Sequence, residues 1–218
     1  MPIHKPLVIP KKRTIVHLGN VGEDAARKTR KYAERFKDFK FIGIDKAELK
    51  ANTPNEIRKN TLHPSNFEQI QNEFLLGLHK LENNSINIIS SDFAVGHYNL
   101  TNSVKGEKIL QAMNKNAIIF NKQEYTRKVL KLCYQKLVPG GKAHFLVFTT
   151  QIDKSAIENI ITGAERIKFS KTNVEEVSAE KIDKLPNAWA KSLANKAFEE
   201  LNSYKLHNIK FYRITLVK

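Results

Sequence analysis

A glycine-containing turn, Gly19 to Gly22 (GNVG), is the first place in the chain where the residue types favour ligand binding. Glycine lacks a Cβ, so the backbone at such a turn can bend sharply and approach a bound molecule closely. Thr14 to Leu18 before the turn is predicted to be a buried strand, and Glu23 to Phe36 after it has apolar residues at helical spacing. A strand, a glycine turn and a helix in this order form nucleotide-cofactor sites in doubly wound sheets, although the same turn also occurs where a chain merely bends.

Asp45 ends the next apolar stretch, Lys40 to Ile44 (KFIGI), which is predicted to be the second strand. A carboxylate at this place can accept hydrogen bonds from both ribose hydroxyls of a cofactor, or it can simply begin a turn. The intervening helix starts with Glu23 and Asp24, which are ordinary first-turn residues but would repel a pyrophosphate at the helix N-terminus. A cofactor with a neutral or cationic near end is therefore favoured. S-adenosylmethionine, which has a sulfonium, an ammonium and no phosphate, fits this condition.

Polar residues also follow Ile86 to Ser90 (INIIS), which is predicted to be a further buried strand. Ser91 and Asp92 come directly after it, and His97 and Tyr98 stand a few residues later. Methyl transfer from a sulfonium mainly needs a positioned nucleophile, and a general base matters only where the acceptor carries a proton. Asp92 or His97 could act as that base. The alternatives are a strand-end cap for Asp92 and loop positions for His97 and Tyr98.

Strand and helix patterns alternate along the rest of the chain, which predicts an α/β fold with a parallel sheet. Helical spacing is found at Phe67 to Leu81, Glu124 to Leu137, Ala156 to Ala164 and Ala188 to Leu201. Strand patterns are found at His144 to Phe148 and Ile209 to Val217, with a further strand opening at Ile167 to Phe169 and an undecided strand or helix at Glu56 to Leu62. No linker or repeat divides the chain, so we expect one domain over residues 1–218, with residues 1–13 as a basic N-terminal extension.

The formal net charge of +15, from 37 basic and 22 acidic residues, creates a field that attracts polyanions. Nucleic acid is the first such partner and an anionic membrane surface the second, while a lysine-rich solvated surface is the alternative. Basic residues cluster before the first strand, at Lys5, Lys11, Lys12 and Arg13, and again between Lys105 and Lys136. The second cluster is what an RNA-modifying enzyme needs for phosphate contacts, or it is the solvated face of an amphipathic helix.

Cysteine, histidine and motif patterns disfavour several other classes of protein. The single cysteine, Cys133, lies on the apolar stripe of its helix, which predicts a core thiol and no disulfide. The seven histidines show no HxH or HExxH spacing, so no metal site is expected, and neither a GxSxG elbow nor a Walker-A sequence occurs. The short apolar run near the N-terminus and the absence of a long apolar segment predict no signal peptide, no membrane partner and a cytoplasmic location.

Several segments together resemble class I S-adenosylmethionine-dependent methyltransferases. They are VHLGNVGED, FIGID, INIISSDF and YQKLVPGGKAHFLVF, within roughly residues 14–150. The last is the most specific, because Leu137 to Gly141 (LVPGG), between a helix and an apolar strand, looks like the L-x-P-G-G turn before the family's fifth strand. The C-terminal segment HNIKFYRITLVK is similar to the family's antiparallel last strand. The resemblance implies a three-layer α/β sandwich with a mostly parallel seven-strand-type sheet and an antiparallel C-terminal strand.

The resemblance also implies a role for individual positions. It puts the methionine part of S-adenosylmethionine along Gly19 to Gly22, the ribose at Asp45 and Lys46, the adenine near Asn66, and the transferable methyl at the end of the fourth strand. The expected cofactor-binding residues are His17, Gly19, Asn20, Val21, Gly22, Asp45, Lys46, Asn66 and Ser91. The catalytic candidates are Asp92 and His97, and the substrate-binding candidates are Tyr98, Lys11, Lys12, Arg13, Lys105 and Lys108.

The acceptor is the least determined part of this prediction. His17 stands where the family usually has an acidic residue, and GNVGE lacks the middle glycine of GxGxG, so a non-catalytic RNA-binding or scaffold relative is an alternative. The C-terminal segment and a Phe-Thr-Thr after the fifth strand are weakly similar to tRNA (guanine-N7) methyltransferases, whose Pro-Asp-Pro-Trp is absent here. Together with the charge, these features predict a methyltransferase acting on RNA, with a small-molecule acceptor as the alternative.

Overall fold

The computed structural model of the chain describes residues 12–19, 30–45, 64–92, 94–96, 115–149, 154–178 and 210–218. Within these ranges the strands are β1 (Arg13–Leu18), β2 (Phe39–Asp45), β3 (Phe67–Gln71), β4 (Ile86–Asp92), β5 (Leu137–Thr149), β6 (Lys171–Val177) and β7 (Lys210–Val217). The helices are α1 (Phe74–His79), α2 (Lys115–Lys136) and α3 (Ser155–Ile167). Residues 30–35 are also helical.

All seven strands belong to one sheet in the order β3-β2-β1-β4-β5-β7-β6. Strands β1 to β5 pair in parallel, and β7 pairs antiparallel with both β5 and β6. The predicted α/β fold, with a mostly parallel seven-strand sheet and an antiparallel C-terminal strand, is confirmed. We call the edge where β1 to β5 begin the amino edge and the edge where they end the carboxyl edge.

Helices cover both faces of the sheet. Side chains alternate between the two faces along each strand, and on one face Leu18, Ile44 and Phe145 are fully buried in the main core beneath α1, α2 and α3. On the other face Phe41 packs with Ala33 from the helical residues 30–35 in a smaller apolar cluster. Apolar residues on both faces of the central strands explain why these strands appear in the sequence as continuous apolar runs.

The prediction of one helix from Phe67 to Leu81 is wrong in its first part, because β3 occupies Phe67–Gln71 and α1 begins only at Phe74. Phe67 and Ile70 are three residues apart and both buried, which imitates helical spacing. In the strand their odd separation instead puts them on opposite faces, Ile70 in the main core and Phe67 in the smaller cluster.

Smaller corrections concern the ends of two helices. Helix α2 starts at Lys115, nine residues before the predicted Glu124, and it ends at Lys136, one residue before the predicted Leu137. The predicted LVPGG turn instead forms the first part of β5, which begins at Leu137 rather than at the predicted His144. The strand predicted to open at Ile167 is wrong, since Ile167 ends α3, Lys168 adopts a left-handed φ of 66°, and β6 begins at Lys171. The predicted helix at Ala188 to Leu201 and the undecided segment at Glu56 to Leu62 lie outside the described residues.

Cys133 is a core thiol, as predicted. Its side chain on α2 is fully buried, and this burial raises the pKa of the thiol to about 12. A thiol of that pKa stays protonated and unreactive near neutral pH. In the part of the chain that the structure describes, no helix is long and apolar enough to cross a membrane.

His144 on β5 makes the stability of the fold depend on pH. Its Nδ1 lies 3.0 Å from Thr215 Oγ1, and burial, then the charges of Lys142 and Arg213, lower its pKa below the ordinary 6.5. As the pH falls through about 6.5, the imidazole of His144 is protonated in the unfolded chain but stays neutral in the folded chain. The free energy of unfolding therefore decreases towards acid pH. We expect His144→Gln to reduce the loss of unfolding free energy between about pH 7.5 and 5.5, measured by urea denaturation. An unchanged loss would contradict this assignment.

Candidate functional site

The candidate site is the crevice at the carboxyl edge between β1 and β4, where the strand order reverses. β1 pairs with β2 on one side and with β4 on the other, and the registers bring Gly19, Asp45 and Asp92 to the same level at the strand ends. Open α/β sheets bind ligands outside the carboxyl ends of their strands at such a switch point. Three of the residues selected from the sequence are therefore brought together at this edge.

Gly19 shapes the floor of the crevice, because both its conformation and its surroundings require glycine. Its φ is +83°, and its N–H donates a 3.0 Å hydrogen bond to the carbonyl oxygen of Ile44. A Cβ at this position would lie 2.9 Å from Ala94 Cβ and 3.7 Å from the ring of Phe74. Glycine is thus required where β1 ends, because the backbone is left-handed there and Ala94 and Phe74 already fill the space that a side chain would take.

Asp45 is a buried carboxylate at the end of β2, with only 2% of its surface exposed. Its carbonyl oxygen accepts a 2.7 Å hydrogen bond from the N–H of Asn72, and Asn72 Oδ1 accepts a 3.1 Å hydrogen bond from the N–H of Glu73. These bonds tie the end of β2 to the segment between β3 and α1. The position of the carboxylate is the one at which a ribose is expected in such sheets.

The end of β4 forms the other wall of the crevice. Asp92 is half-buried there, whereas Ser91 is 1% exposed and its Oγ accepts a 3.3 Å hydrogen bond from the N–H of Val95. Gly96 follows with a φ of +93°, and a Cβ there would lie 3.1 Å from the carbonyl oxygen of Ala156 on α3. Ser91 therefore fixes the turn after β4, and Asp92 is the carboxylate of this strand end that remains partly accessible.

His17 joins the two strands that flank the crevice. Its Nδ1 lies 2.9 Å from Ser90 Oγ, so the pair links β1 to β4 two residues before Gly19. The imidazole replaces the acidic residue that the family usually has at this place. A contact between His17 and a cofactor, expected from the sequence, stays a prediction.

Asn66 lies at the amino edge, so the prediction that it would lie near the adenine is wrong. It comes directly before β3, is 4% exposed, and its Nδ2 lies 2.9, 3.1 and 2.8 Å from the carbonyl oxygens of Ala33, Phe36 and Phe39. These bonds join the end of the helical residues 30–35 to the start of β2. The error follows from the missed β3, because the residues at the crevice are those after this strand rather than those before it.

We expect Asn66→Asp to destabilise the fold by about 3 kcal/mol, because a carboxylate would face three carbonyl oxygens that lose their donor. The variant should unfold at a lower urea concentration and, while folded, bind S-adenosylhomocysteine as the unmodified chain does. A normal stability with weakened binding would restore the adenine role.

Asn72 and Glu73 lie at the carboxyl edge, beside the end of β2, and the sequence patterns did not single them out. Glu73 caps α1, since its Oε2 accepts a 3.4 Å hydrogen bond from the N–H of Leu76, and its Oε1 accepts a 2.6 Å hydrogen bond from the hydroxyl of Tyr125. The available signal was the pair Asn-Glu directly before the apolar run FLL, which is typical of a helix start. Because Asn72 is bonded to the end of β2, it stands at the edge where Asn66 was expected.

Of the basic residues expected to bind substrate, the two that the structure describes lie away from the crevice. Lys12 and Arg13 are exposed at the start of β1, about 20 Å along the strand from Gly19. Both were expected to bind substrate, and that role stays a prediction for residues that lie at the amino edge. The following predicted site residues lie outside the described ranges: Lys11, Asn20, Val21, Gly22, Lys46, His97, Tyr98, Lys105 and Lys108.

In the described part of α2, a glutamate neutralises some of the basic residues in the cluster predicted between Lys105 and Lys136. Arg127 makes a 2.7 Å ion pair with Glu124, and Lys128 lies 3.7 Å from the same carboxylate. Lys136 is 6% exposed, and its Nζ donates a 2.6 Å hydrogen bond to the carbonyl oxygen of Leu81. Among the described residues, no group of three or more His, Cys, Asp or Glu side chains could hold a metal ion.

No protein-family model and no curated protein sequence matches the chain, whereas solved structures match it at low identity. Phosphoethanolamine N-methyltransferase 2 of Haemonchus contortus has a TM-score of 0.59 and 15% identity, over 96% of this chain and 49% of that one. Geranyl diphosphate C-methyltransferase of Streptomyces coelicolor A3(2) has a TM-score of 0.58 and 10% identity, over 95% of this chain and 73% of that one. The fold is that of S-adenosylmethionine-dependent methyltransferases.

The same methyltransferase fold is found in a protein named for another reaction. The 4+2 cyclase SpnF has a TM-score of 0.58 and 10% identity, over 94% of this chain and 74% of that one. The chain also spans only about half the length of the Haemonchus protein, at 49%. The predicted methyltransferase fold is therefore confirmed, whereas a shared fold does not determine the reaction or its acceptor.

Proposed function

We propose that the chain is an S-adenosylmethionine-dependent methyltransferase with its cofactor in the crevice between β1 and β4. The observation that carries this proposal is the alignment of Gly19 and the buried carboxylate of Asp45 at the switch point of the sheet. A glycine turn at this place lets the chain turn sharply beside a ligand, and the carboxylate can accept hydrogen bonds from two ribose hydroxyls. The Haemonchus and Streptomyces methyltransferases were both solved in complex with S-adenosylhomocysteine, which supports the choice of cofactor.

The charge of the carboxyl edge also supports a cationic cofactor. Asp45, Asp92 and Glu73 are acidic residues of this edge, and a sulfonium and an ammonium are better matched to them than a pyrophosphate would be. Bound S-adenosylmethionine supplies an activated methyl group, so the chain itself needs mainly to position the acceptor. Asp92, half-buried at the end of β4, could take a proton from an acceptor that carries one.

For the acceptor we propose RNA, acted on in the cytoplasm. The net charge of +15 supports this choice, since phosphate contacts supply most of the sequence-independent affinity for nucleic acid. The likeness to tRNA (guanine-N7) methyltransferases stays a prediction from the sequence. A small-molecule acceptor is the alternative, and the two related methyltransferases were solved with such molecules bound, phosphomonomethylethanolamine and geranyl diphosphate.

Binding of the cofactor product is the first test. Isothermal titration of the full chain with S-adenosylhomocysteine should give a saturable heat. If a folded sample at high concentration gives no heat, the cofactor proposal fails and a non-catalytic scaffold replaces it. Circular dichroism on the same sample shows whether the chain is folded.

Transfer of a labelled methyl group is the second test and decides the acceptor. The full chain is incubated with labelled S-adenosylmethionine and either total RNA or a protein-free extract of small metabolites. Label in RNA that disappears on ribonuclease treatment supports the proposal. Label in the extract alone would show that the acceptor is a small molecule instead of RNA. If a chain that binds the cofactor product labels neither sample, methyl transfer to both classes of acceptor is contradicted.

A further inference from the structure

A second surface with distinct chemistry lies at the amino edge, opposite the crevice. It is formed by Lys12, Arg13, Tyr32, Arg35, Phe36 and Lys37, and we call it the amino-edge surface. The helical residues 30–35 lead directly into it, and Arg13 pairs with Phe39 across β1 and β2. Lys12 and Arg13 at the start of β1 therefore lie beside the segment that leads into β2.

Aromatic rings on the amino-edge surface form a continuous series from solvent to core. Tyr32 and Phe36 are 38% and 41% exposed, and their rings stack with centroids 6.2 Å apart and an interplanar angle of 22°. Phe36 meets Phe39 edge-on at 6.3 Å, and Phe39 contacts the buried Phe41 at the same distance. The exposed pair is thus anchored to the core through further rings, which holds it in a fixed orientation.

The exposure of this pair departs from the helical pattern in the sequence. Tyr32, Ala33 and Phe36 all belong to the apolar positions of one predicted helix, yet of these only Ala33 is fully buried. Two large rings that the core does not use are therefore available at the surface. Base stacking on an exposed ring contributes about 1–3 kcal/mol per base in proteins that bind single strands.

Cationic side chains lie at the same edge of the sheet as the exposed rings. The Arg35 guanidinium lies 5.4 Å above the ring of Phe36. Lys12, Arg13 and Lys37 are exposed, and within the described ranges no ion pair engages them. The acidic side chains of the same region are Glu34 and Asp38, together with Glu68, which pairs with Lys40 at 2.8 Å. The basic side chains outnumber these acids, so the local field favours an anion.

We propose that the amino-edge surface binds single-stranded RNA, whose bases stack on Tyr32 and Phe36 and whose phosphates contact Lys12, Arg13 and Lys37. A single strand offers aromatic faces and negative charges in alternation, and this surface offers rings and cations in alternation. The inference names a contact region for the partner in the proposed function. It does not depend on the cofactor, because the two sites lie at opposite edges of the sheet.

The aromatic contribution is tested by fluorescence anisotropy with a labelled oligouridine and the full chain, without cofactor. Tyr32→Ala and Phe36→Ala should each raise the Kd roughly tenfold or more, whereas Tyr32→Phe should bind normally. Leu76→Ala is the matched control, since Leu76 is 58% exposed on α1, away from this surface. Equal losses in the control and in the ring variants, or no RNA binding at all, would overturn the proposal.

The charge contribution is tested with two matched pairs of substitutions. Lys12→Gln with Lys37→Gln should lower the slope of log affinity against log salt by about 0.7 for each phosphate that a lysine no longer neutralises. The control is Lys154→Gln with Lys171→Gln, exposed lysines before α3 and at the start of β6, which should leave the slope unchanged. A larger effect from the control pair places the RNA on the β6 side of the sheet and overturns this assignment, as does binding to phosphatidylserine vesicles in place of RNA. S-adenosylhomocysteine titration of the same variants separates this outcome from a failure of the cofactor site.

Discussion

Replacing Asp45 with alanine is expected to weaken S-adenosylhomocysteine binding about 100-fold, because hydrogen bonds from two ribose hydroxyls to a carboxylate would be lost at about 1.5 kcal/mol or more each. Asp45 is 2% exposed at the end of β2, where the carboxyl ends of the parallel strands meet. Isothermal titration measures the change, and circular dichroism shows that the variant is folded.

Two further variants separate the role of Asp45 from general charge and from packing. Asp45→Asn keeps the shape of the side chain and removes its charge, so its Kd should fall between those of the unmodified chain and the alanine variant. Asp38→Ala removes a carboxylate that is exposed between the helical residues 30–35 and β2, and it should not change the Kd. If the Asp38 and Asp45 variants bind alike, the ribose role of Asp45 is wrong.

Gly19→Ala is expected to lower the free energy of unfolding by about 3 kcal/mol, since it combines an unfavourable backbone conformation with a steric overlap. A φ of +83° is unfavourable for alanine by about 1–2 kcal/mol, and the added methyl would lie 2.9 Å from Ala94 Cβ, which has no flexible end to move aside. Urea denaturation measures the loss, and the crevice should be distorted enough to weaken binding of the cofactor product as well.

The chain contains glycines that separate these two causes. Gly140 has a φ of +74° and nothing within 4 Å of an added Cβ, so Gly140→Ala should cost only the conformational part, about 1 kcal/mol. At Gly77 on α1, with no positive φ, a Cβ would overlap Ile44 Cγ2, so Gly77→Ala should show the cost of contact reduced by about 1 kcal/mol of gained helix propensity. If Gly19→Ala costs no more than Gly140→Ala, then Ala94 moves freely and the floor of the crevice is less rigid than the contacts indicate.

The sequence was sufficient where local pattern and fold agree. Buried parallel strands are continuous apolar runs, so β1, β2 and β4 were found directly, and the LVPGG segment marked the end of α2 although it lies within β5. Gly19 and Asp45 followed from these strands, because parallel strands bring their carboxyl ends to one edge. The two residues could thus be expected together before any contact was known.

The sequence was insufficient in two situations. In the first, one residue pattern fits both a helix and a strand; in the second, residues close in sequence lie far apart in the fold. Phe67 and Ile70 satisfy helical spacing as well as a strand buried on both faces, and this ambiguity misplaced Asn66. Lys12 and Arg13 are a few residues from Gly19 in sequence, yet an extended strand carries them to the opposite edge. The distance between these basic residues and Gly19 depends on whether the residues between them form a strand, and the number of charges in the sequence does not show this.

The inert state of Cys133 makes the chain ready for site-specific spectroscopic labelling. It is the only cysteine of the protein, it is fully buried, and burial keeps its thiol protonated at neutral pH, with a pKa of about 12. Maleimide reagents attack the thiolate of an accessible cysteine, so they should leave the native chain unmodified. A cysteine introduced at Leu76, which is 58% exposed, would then carry a single fluorophore without any prior removal of native thiols.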